Sequence, residues 1–209
     1  MRCVIISGSP DTDINFIKQT IRHSDYVICA DKGYLFAKEA EINPNLIVGD
    51  FDSYIGKLPD ACEIITLNSE KDDTDTAHCV ELALKKGFDE IIILGACGGR
   101  LDHTLANLST LLYIENCGAK GVLLSENEKI LMLKAGEYSF NNLCGKTFSL
   151  FPFGCKSVCV SYFGVKYPLD SFVVSCDTSL GTSNIFTSDD SKIKINDGNA
   201  IVIINYNIS

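Results

Sequence analysis

The sequence predicts an α/β chain: an N-terminal, mostly parallel sheet with helices on both faces, followed by a smaller antiparallel β-sandwich. Three observations carry that expectation. In the first part, short and nearly continuous β-branched runs alternate with helical segments, the pattern of strands covered on both faces. After about residue 129 the helical pattern stops. From there short strands punctuated by glycines take over, the texture of an all-β unit. The change of pattern, with no repeat or low-complexity linker to mark it, sets expected domains at residues 1–130 and 131–209.

The elements follow in order. Residues 2–7 are the first expected strand, which enters a loop at Gly8, and further strands are expected at 26–30, 46–48, 63–67, 90–94 and 121–124. Helices are expected between them at 13–23, 34–41, 74–86 and 102–115. The helix from Thr74 places Ala77, Val80 and Leu84 along one face, and Gly87 supplies its stop. In the second part strands are expected at 146–150, 157–162, 171–175, 192–195 and 200–204. Asp197-Gly198, set between alternating apolar residues, reads as the turn of a hairpin.

Composition narrows the function classes. With 46% hydrophobic and 22% charged residues, the 209-residue chain can bury a substantial core. A net charge of −9 repels nucleic-acid backbones, so no DNA or RNA partner is expected. A negative protein that handles a negative nucleotide requires a bridging cation. No apolar run suits a membrane span, and the opening apolar stretch is too short for a secretory signal. The ten cysteines contain no C-x-x-C pair, and Cys155 and Cys159 lack the second pair that a zinc site requires. Buried thiols in a reducing, cytosolic setting are the expectation.

Chemistry gathers in the loops that follow the expected strands. Asp50 and Asp52, two apart in an extended segment, point the same way from the carboxyl end of a strand. Two such carboxylates repel unless a cation lies between them, and magnesium suits that arrangement. Asp72, Asp73 and Asp75 crowd the start of the helix at Thr74, more acids than one cap requires. Asp31 ends another strand, followed by Lys32-Gly33. Gly95–Arg100 is a glycine-rich turn into a helix, whose amides suit phosphate and whose Arg100 offers a bidentate donor. Its glycine spacing is not the dinucleotide fingerprint. Gly145-Lys146-Thr147 is no P-loop, since Phe140 stands where the first glycine is required. A parallel sheet brings all four loops to one edge, which predicts a phosphate-and-metal site.

Taken together, Ala30-Asp31-Lys32-Gly33, Gly49-Asp50-Phe51-Asp52-Ser53, Asp72-Asp73-Thr74-Asp75, Gly99-Arg100-Leu101-Asp102-His103 and Gly181-Thr182-Ser183-Asn184 resemble, in order and spacing, the motifs of thiamine pyrophosphokinases. The resemblance spans nearly the whole chain. It implies a nucleotide- and metal-binding catalytic α/β domain, a thiamine-binding β-sandwich, and a homodimer with its active sites at the subunit interface. It implies transfer of the pyrophosphoryl group of ATP to the hydroxyl of thiamine, releasing AMP. By the same resemblance Asp50, Asp52, Asp72 and Asp75 hold Mg2+ and the triphosphate, and one of the acids takes the hydroxyl proton. Asp31, Lys32, Gly33, Lys71, Thr74, Gly98, Gly99 and Arg100 are implied around the nucleotide, and Asp102, His103, Tyr167, Ser183 and Asn184 around thiamine. The chain has no Trp, and Tyr167 stands in the segment where family members can stack an aromatic ring.

The residues also admit other readings. A nucleotide-sugar glycosyltransferase would use Asp50-Phe51-Asp52 for its metal but leaves Asp75 and Arg100 without a role. A phosphatase with an aspartyl nucleophile would place it on the first strand rather than at Asp50. A thiamine- or nucleotide-binding protein without turnover would not require so many repelling carboxylates.

Overall fold

The computed structural model describes residues 1–51, 56, 58–59, 62–68 and 72–206. The chain divides into two compact units, Met1–Glu126 and Asn127–Ser209.

In the first unit, strands β1 (Arg2–Ile6), β2 (Tyr26–Ala30), β3 (Leu46–Gly49), β4 (Glu63–Thr66), β5 (Glu90–Leu94) and β6 (Lys120–Leu124) alternate with helices α1 (Ile14–Thr20), α2 (Gly33–Glu39), α3 (Asp75–Lys85) and α4 (Leu101–Asn116). The strands run in the order β6-β5-β1-β2-β3-β4. Every neighbouring pair in that run is parallel. The chain builds β1 through β4 in one direction, then returns to lay β5 on the far side of β1. β1 is therefore the strand where the winding reverses, and its carboxyl end opens beside that of β5.

The continuous apolar strands follow from helical cover on both faces. Helix α2 packs on β1 and β2 and against α1, while α3 packs on β1, β2 and β3 and against α4. Ile5, Ile28, Ile91 and Ile93 are fully buried as a result. Each such side chain contributes about 1.5–3 kcal/mol relative to exposure. Helix α1 is shorter than its sequence pattern. The Asp13 carboxylate accepts the Phe16 N–H at 2.7 Å and starts it. At its other end the Arg2 guanidinium donates to the Thr20 carbonyl at 2.8 Å and to Asp25 at 3.0 Å. That capped carbonyl ends the helix and turns the chain toward β2.

The second unit holds β7 (Glu128–Leu133), β8 (Gly136–Asn141), β9 (Thr147–Pro152), β10 (Ser157–Phe163), β11 (Leu169–Ser175), β12 (Asn184–Ile185), β13 (Asp190–Asp197) and β14 (Ala200–Asn205). An antiparallel run of strands ordered β12-β9-β14-β7 and an antiparallel sheet ordered β11-β10-β13-β8 enclose the core. Phe186 stacks on Phe148 at a centroid distance of 4.4 Å, among Val160, Ile193 and Ile204.

Asp197-Gly198 is not a hairpin turn. β13 and β14 belong to different sheets, so this turn carries the chain across the core from one sheet to the other. Gly198 does take a positive φ of 85°. The local turn signal is real, but pairing is set by which sheet has room for the next strand. β7 and β8 were not expected as strands, because residues 128–133 lack alternation and residues 136–141 carry only Phe140 as a buried apolar anchor. No described helix is long and apolar enough to cross a membrane.

Candidate active site

The carboxyl ends of the parallel strands open into a cleft of about 650 Å³ in the first unit. Four loops line it: Ser7–Pro10 after β1, Ala30–Lys32 after β2, Asp73–Thr76 at the start of α3, and Gly95–Arg100 after β5, with His103 and Asn107 from α4. This is the edge where open α/β sheets bind ligands, at the point where strand order reverses.

Local sequence explains how each side chain arrives. Thr74 caps α3, its Oγ1 accepting the Ala77 N–H at 3.2 Å, and this places Asp75 in the first helical turn. Asp31 leaves β2 with a φ of 44°, and its N–H donates to the Val48 carbonyl at 2.8 Å. Gly49 makes room for that turn, since a Cβ there would lie 3.0 Å from the Asp31 Cα. At the floor, the buried hydroxyls of Ser7 and Thr76 share a hydrogen bond of 2.8 Å. Asn107 donates to the Ala96 carbonyl at 2.7 Å and ties α4 to the glycine-rich turn.

The electrostatics favour a cation. Burial pushes the Asp31 carboxyl above its ordinary range, and the charges of Asp75 and Asp50 push it further. The Lys32 N–H and ammonium oppose that shift. Crowded hard oxygen donors fit a hard divalent ion bound through few carboxylates. Among the described residues, no three His, Cys, Asp or Glu side chains form a group that could by itself hold a metal ion.

Of the residues expected from sequence, Asp31, Lys32, Thr74, Asp75, Gly98, Gly99, Arg100 and His103 line the cleft. Asp50 lies close enough to act on the Asp31 charge, and Asp72 is exposed outside the lining. Asp52 and Lys71 lie outside the described residues. Gly33 is buried away from the lining, and its lack of a side chain serves packing against β1. Asp102 is engaged by Arg100, whose Nε–H and Nη2–H donate to its two oxygens at 3.1 and 2.6 Å. That bond holds the Asp102 carboxyl below the usual carboxylate range.

In the second unit, Asn184 is buried and braces Tyr167. Its Oδ1 accepts the Tyr167 N–H at 3.1 Å and its Nδ2–H donates to the Tyr167 carbonyl at 2.8 Å. The Tyr167 ring stays 57% exposed, open to a stacking partner, with the Lys166 ammonium 5.3 Å from its centroid. Ser183 sits beside them with a φ of 58°. Asp73, part of the acidic cluster expected from sequence, also lines the cleft, while sequence reasoning missed Ser7–Pro10, Thr76 and Asn107. The signal for the first group was present: Ser-Gly-Ser-Pro follows the first strand directly.

A model of the thiamin pyrophosphokinase catalytic domain matches residues 17–123, and a model of the family's vitamin B1 binding domain matches residues 134–202. The chain belongs to the thiamin pyrophosphokinase family. It is 31% identical over 188 residues to the thiamine pyrophosphokinase of Bacillus subtilis, covering 86% of this chain and 87% of that one. Thiamin pyrophosphokinase 1 of Caenorhabditis elegans is 23% identical over 198 residues, covering 89% and 82%. The crystal structure of the Bacillus subtilis thiamine pyrophosphokinase aligns with a TM-score of 0.89 over 100% of both chains, at 26% identity. The stretch matched by the thiamin pyrophosphokinase catalytic domain includes every cleft residue except Ser7–Pro10. Tyr167, Ser183 and Asn184 fall in the stretch matched by the B1 binding domain.

Proposed function

We propose that this chain transfers the pyrophosphoryl group of ATP to the hydroxyl of thiamine, giving thiamine diphosphate and AMP. The observation that carries the reading is the cleft at the strand reversal, which Asp31 and Asp75 line together with Arg100 and the glycine-rich turn. Family membership supplies the reaction class. The glycosyltransferase and non-catalytic alternatives find no support there.

In this reading Asp50, Asp52, Asp72 and Asp75 hold Mg2+, with Asp31 in the same acidic pocket. When bound, the ion offsets charge on the phosphate oxygens. Arg100 steadies those oxygens as charge builds during attack on the β-phosphorus. One of the acids accepts the thiamine hydroxyl proton. Acidic residues and an aromatic face suit the fixed positive charge of the thiazolium ring. Asp102 and His103, and in a homodimer Tyr167, Ser183 and Asn184, supply the thiamine contacts. A cytosolic setting completes the proposal.

The deciding experiment incubates the protein with ATP, magnesium and thiamine and separates the products. AMP with thiamine diphosphate is expected. ADP with thiamine monophosphate would replace the reading with ordinary phosphoryl transfer, and tight thiamine binding without turnover would reduce it to a binding protein.

A further inference from the structure

The turn that carries Arg100 does not hold its shape alone. It is laced to the loop after β1 along its length. The Ser9 N–H donates to the Gly95 carbonyl at 2.9 Å, and the Ser9 hydroxyl donates to the Cys97 carbonyl at 2.5 Å. Asp11 Oδ2 accepts the Gly99 N–H at 2.8 Å. Thr12 donates back to the Ser9 carbonyl at 2.5 Å and keeps the loop folded.

The glycines record the same contact. Gly95, Gly98 and Gly99 have φ values of 62°, 93° and 65°. A Cβ on Gly95 would lie 2.8 Å from Thr12 Oγ1, and one on Gly99 would lie 2.8 Å from two ring carbons of Pro10. One on Gly98 would meet Asp11 Cγ at 3.0 Å and its Oδ2 more closely still. These glycines therefore admit the neighbouring loop, and the Gly99 amide is already committed to a carboxylate. Arg100 is the next residue.

We propose that Asp11 is a positioning residue that fixes the Gly98-Gly99 turn and so sets Arg100 in place on the cleft wall for the nucleotide phosphates. This rests on the reading of Arg100 as a phosphate ligand. Two consecutive glycines have wide backbone freedom, and a carboxylate on the second amide removes it. Without that tie the backbone at Gly98-Gly99 loosens and the Arg100–Asp102 pair shifts with it, so a bidentate grip on phosphate must first order the turn. Asp11 acts through Arg100 and is not itself a phosphate ligand, since its charge would repel one.

The test measures binding of a non-hydrolysable ATP analogue with magnesium by calorimetry, with steady-state kinetics alongside. The variants are Asp11→Ala, Asp11→Asn, Arg100→Gln and the double variant Asp11→Ala/Arg100→Gln. Loss of one such hydrogen bond is expected to weaken binding of the analogue about tenfold in Asp11→Ala, with a raised KM and also a lowered kcat, because Arg100 steadies charge that builds during attack. Asp11→Asn retains the acceptor and is expected to restore binding to within about threefold of the parent. In the Arg100→Gln background the alanine change is expected to add nothing. Asp11 is exposed, so folding is expected to survive, as circular dichroism checks. A fifth variant, Asp11→Glu, carries its carboxylate one methylene further out and is also expected to lose affinity. Full affinity in Asp11→Ala while Arg100→Gln is weakened would overturn the proposal alone. So would an equal loss in both backgrounds, or no rescue by asparagine. Full affinity in Arg100→Gln would overturn the phosphate reading of Arg100 and this inference with it.

Discussion

Replacing Gly33 by alanine adds one methyl group where the first unit has no space for it. Gly33 opens α2 beneath the carboxyl end of β1. A Cβ there would lie 2.7 Å from the Ile6 carbonyl carbon, nearer still to the oxygen, and 3.3 Å from the Ser7 nitrogen. Ordinary contact between such heavy atoms begins at ~3.5 Å, and the nearer oxygen sets the demand, so something must move by more than about an ångström. Ile6 is held on both sides, in register with Cys29 of β2 and Leu94 of β5, and the Ser7 N–H donates to the Leu94 carbonyl at 2.8 Å. Moving β1 strains that ladder, while moving α2 lifts the buried Tyr34 and Ala37. Overpacking of this kind costs about 1–3 kcal/mol, and a weakened ladder bond adds about 1 kcal/mol. Alanine's better helix propensity returns up to about 1 kcal/mol. The net expectation is a loss of about 1–4 kcal/mol, centred on ~2.5, or a drop of roughly 0.5–2 M in the urea midpoint for a slope of ~2 kcal/mol/M. Gly87→Ala is the control, since Gly87 has a φ of 84° and no atom within 4 Å of a built Cβ. Its cost is backbone strain alone, about 1 kcal/mol. Equilibrium unfolding in urea measures both. If Gly33→Ala were no more costly than Gly87→Ala, the close approach of α2 to β1 would be refuted.

Other expectations follow from the same geometry. Asp75→Asn is expected to lower turnover at least about a hundredfold with the circular dichroism spectrum unchanged, and near-parental rates would refute the metal assignment. Asp31→Asn is expected to stabilise the ligand-free protein at neutral pH. A carboxyl raised above the ordinary 3.8 binds more protons folded than unfolded, so its contribution falls as pH rises from 3.8 through the raised value. Urea midpoints measured across pH are expected to show a flatter curve for Asp31→Asn, and an unchanged slope would contradict the shift. Asn184→Leu leaves the Tyr167 N–H and carbonyl without their partner and is expected to cost about 2–3 kcal/mol in unfolding experiments. It is also expected to raise the KM for thiamine, and an unchanged KM would separate Asn184 from the substrate.

Much of the fold was legible along the chain because periodicity is a local property. The run at β2, and those at β1 and β5 after their first residues Arg2 and Glu90, are apolar because helices cover both faces, and that cover leaves its mark residue by residue. The order of acids and glycines in the loops was equally legible, as was the likeness to a family. Pairing was not. Asp197-Gly198 reads as a hairpin, and only the placement of β13 and β14 in separate sheets shows that it is a crossing. The strand order also decided that the loop after β1 faces the loop after β5, which brought Ser7–Pro10 to the cleft.

The glycines draw the same line. Sequence determined that Gly98 and Gly99 belong to a glycine-rich turn and that Gly33 follows the second strand. Tertiary structure decided what each comes close to: β1 for Gly33, and Pro10 and Asp11 for the other two. A residue's own conformational preference is carried by its neighbours along the chain. The atom that would collide with its missing side chain comes from a segment about 27 to 89 positions away, and no local pattern encodes it.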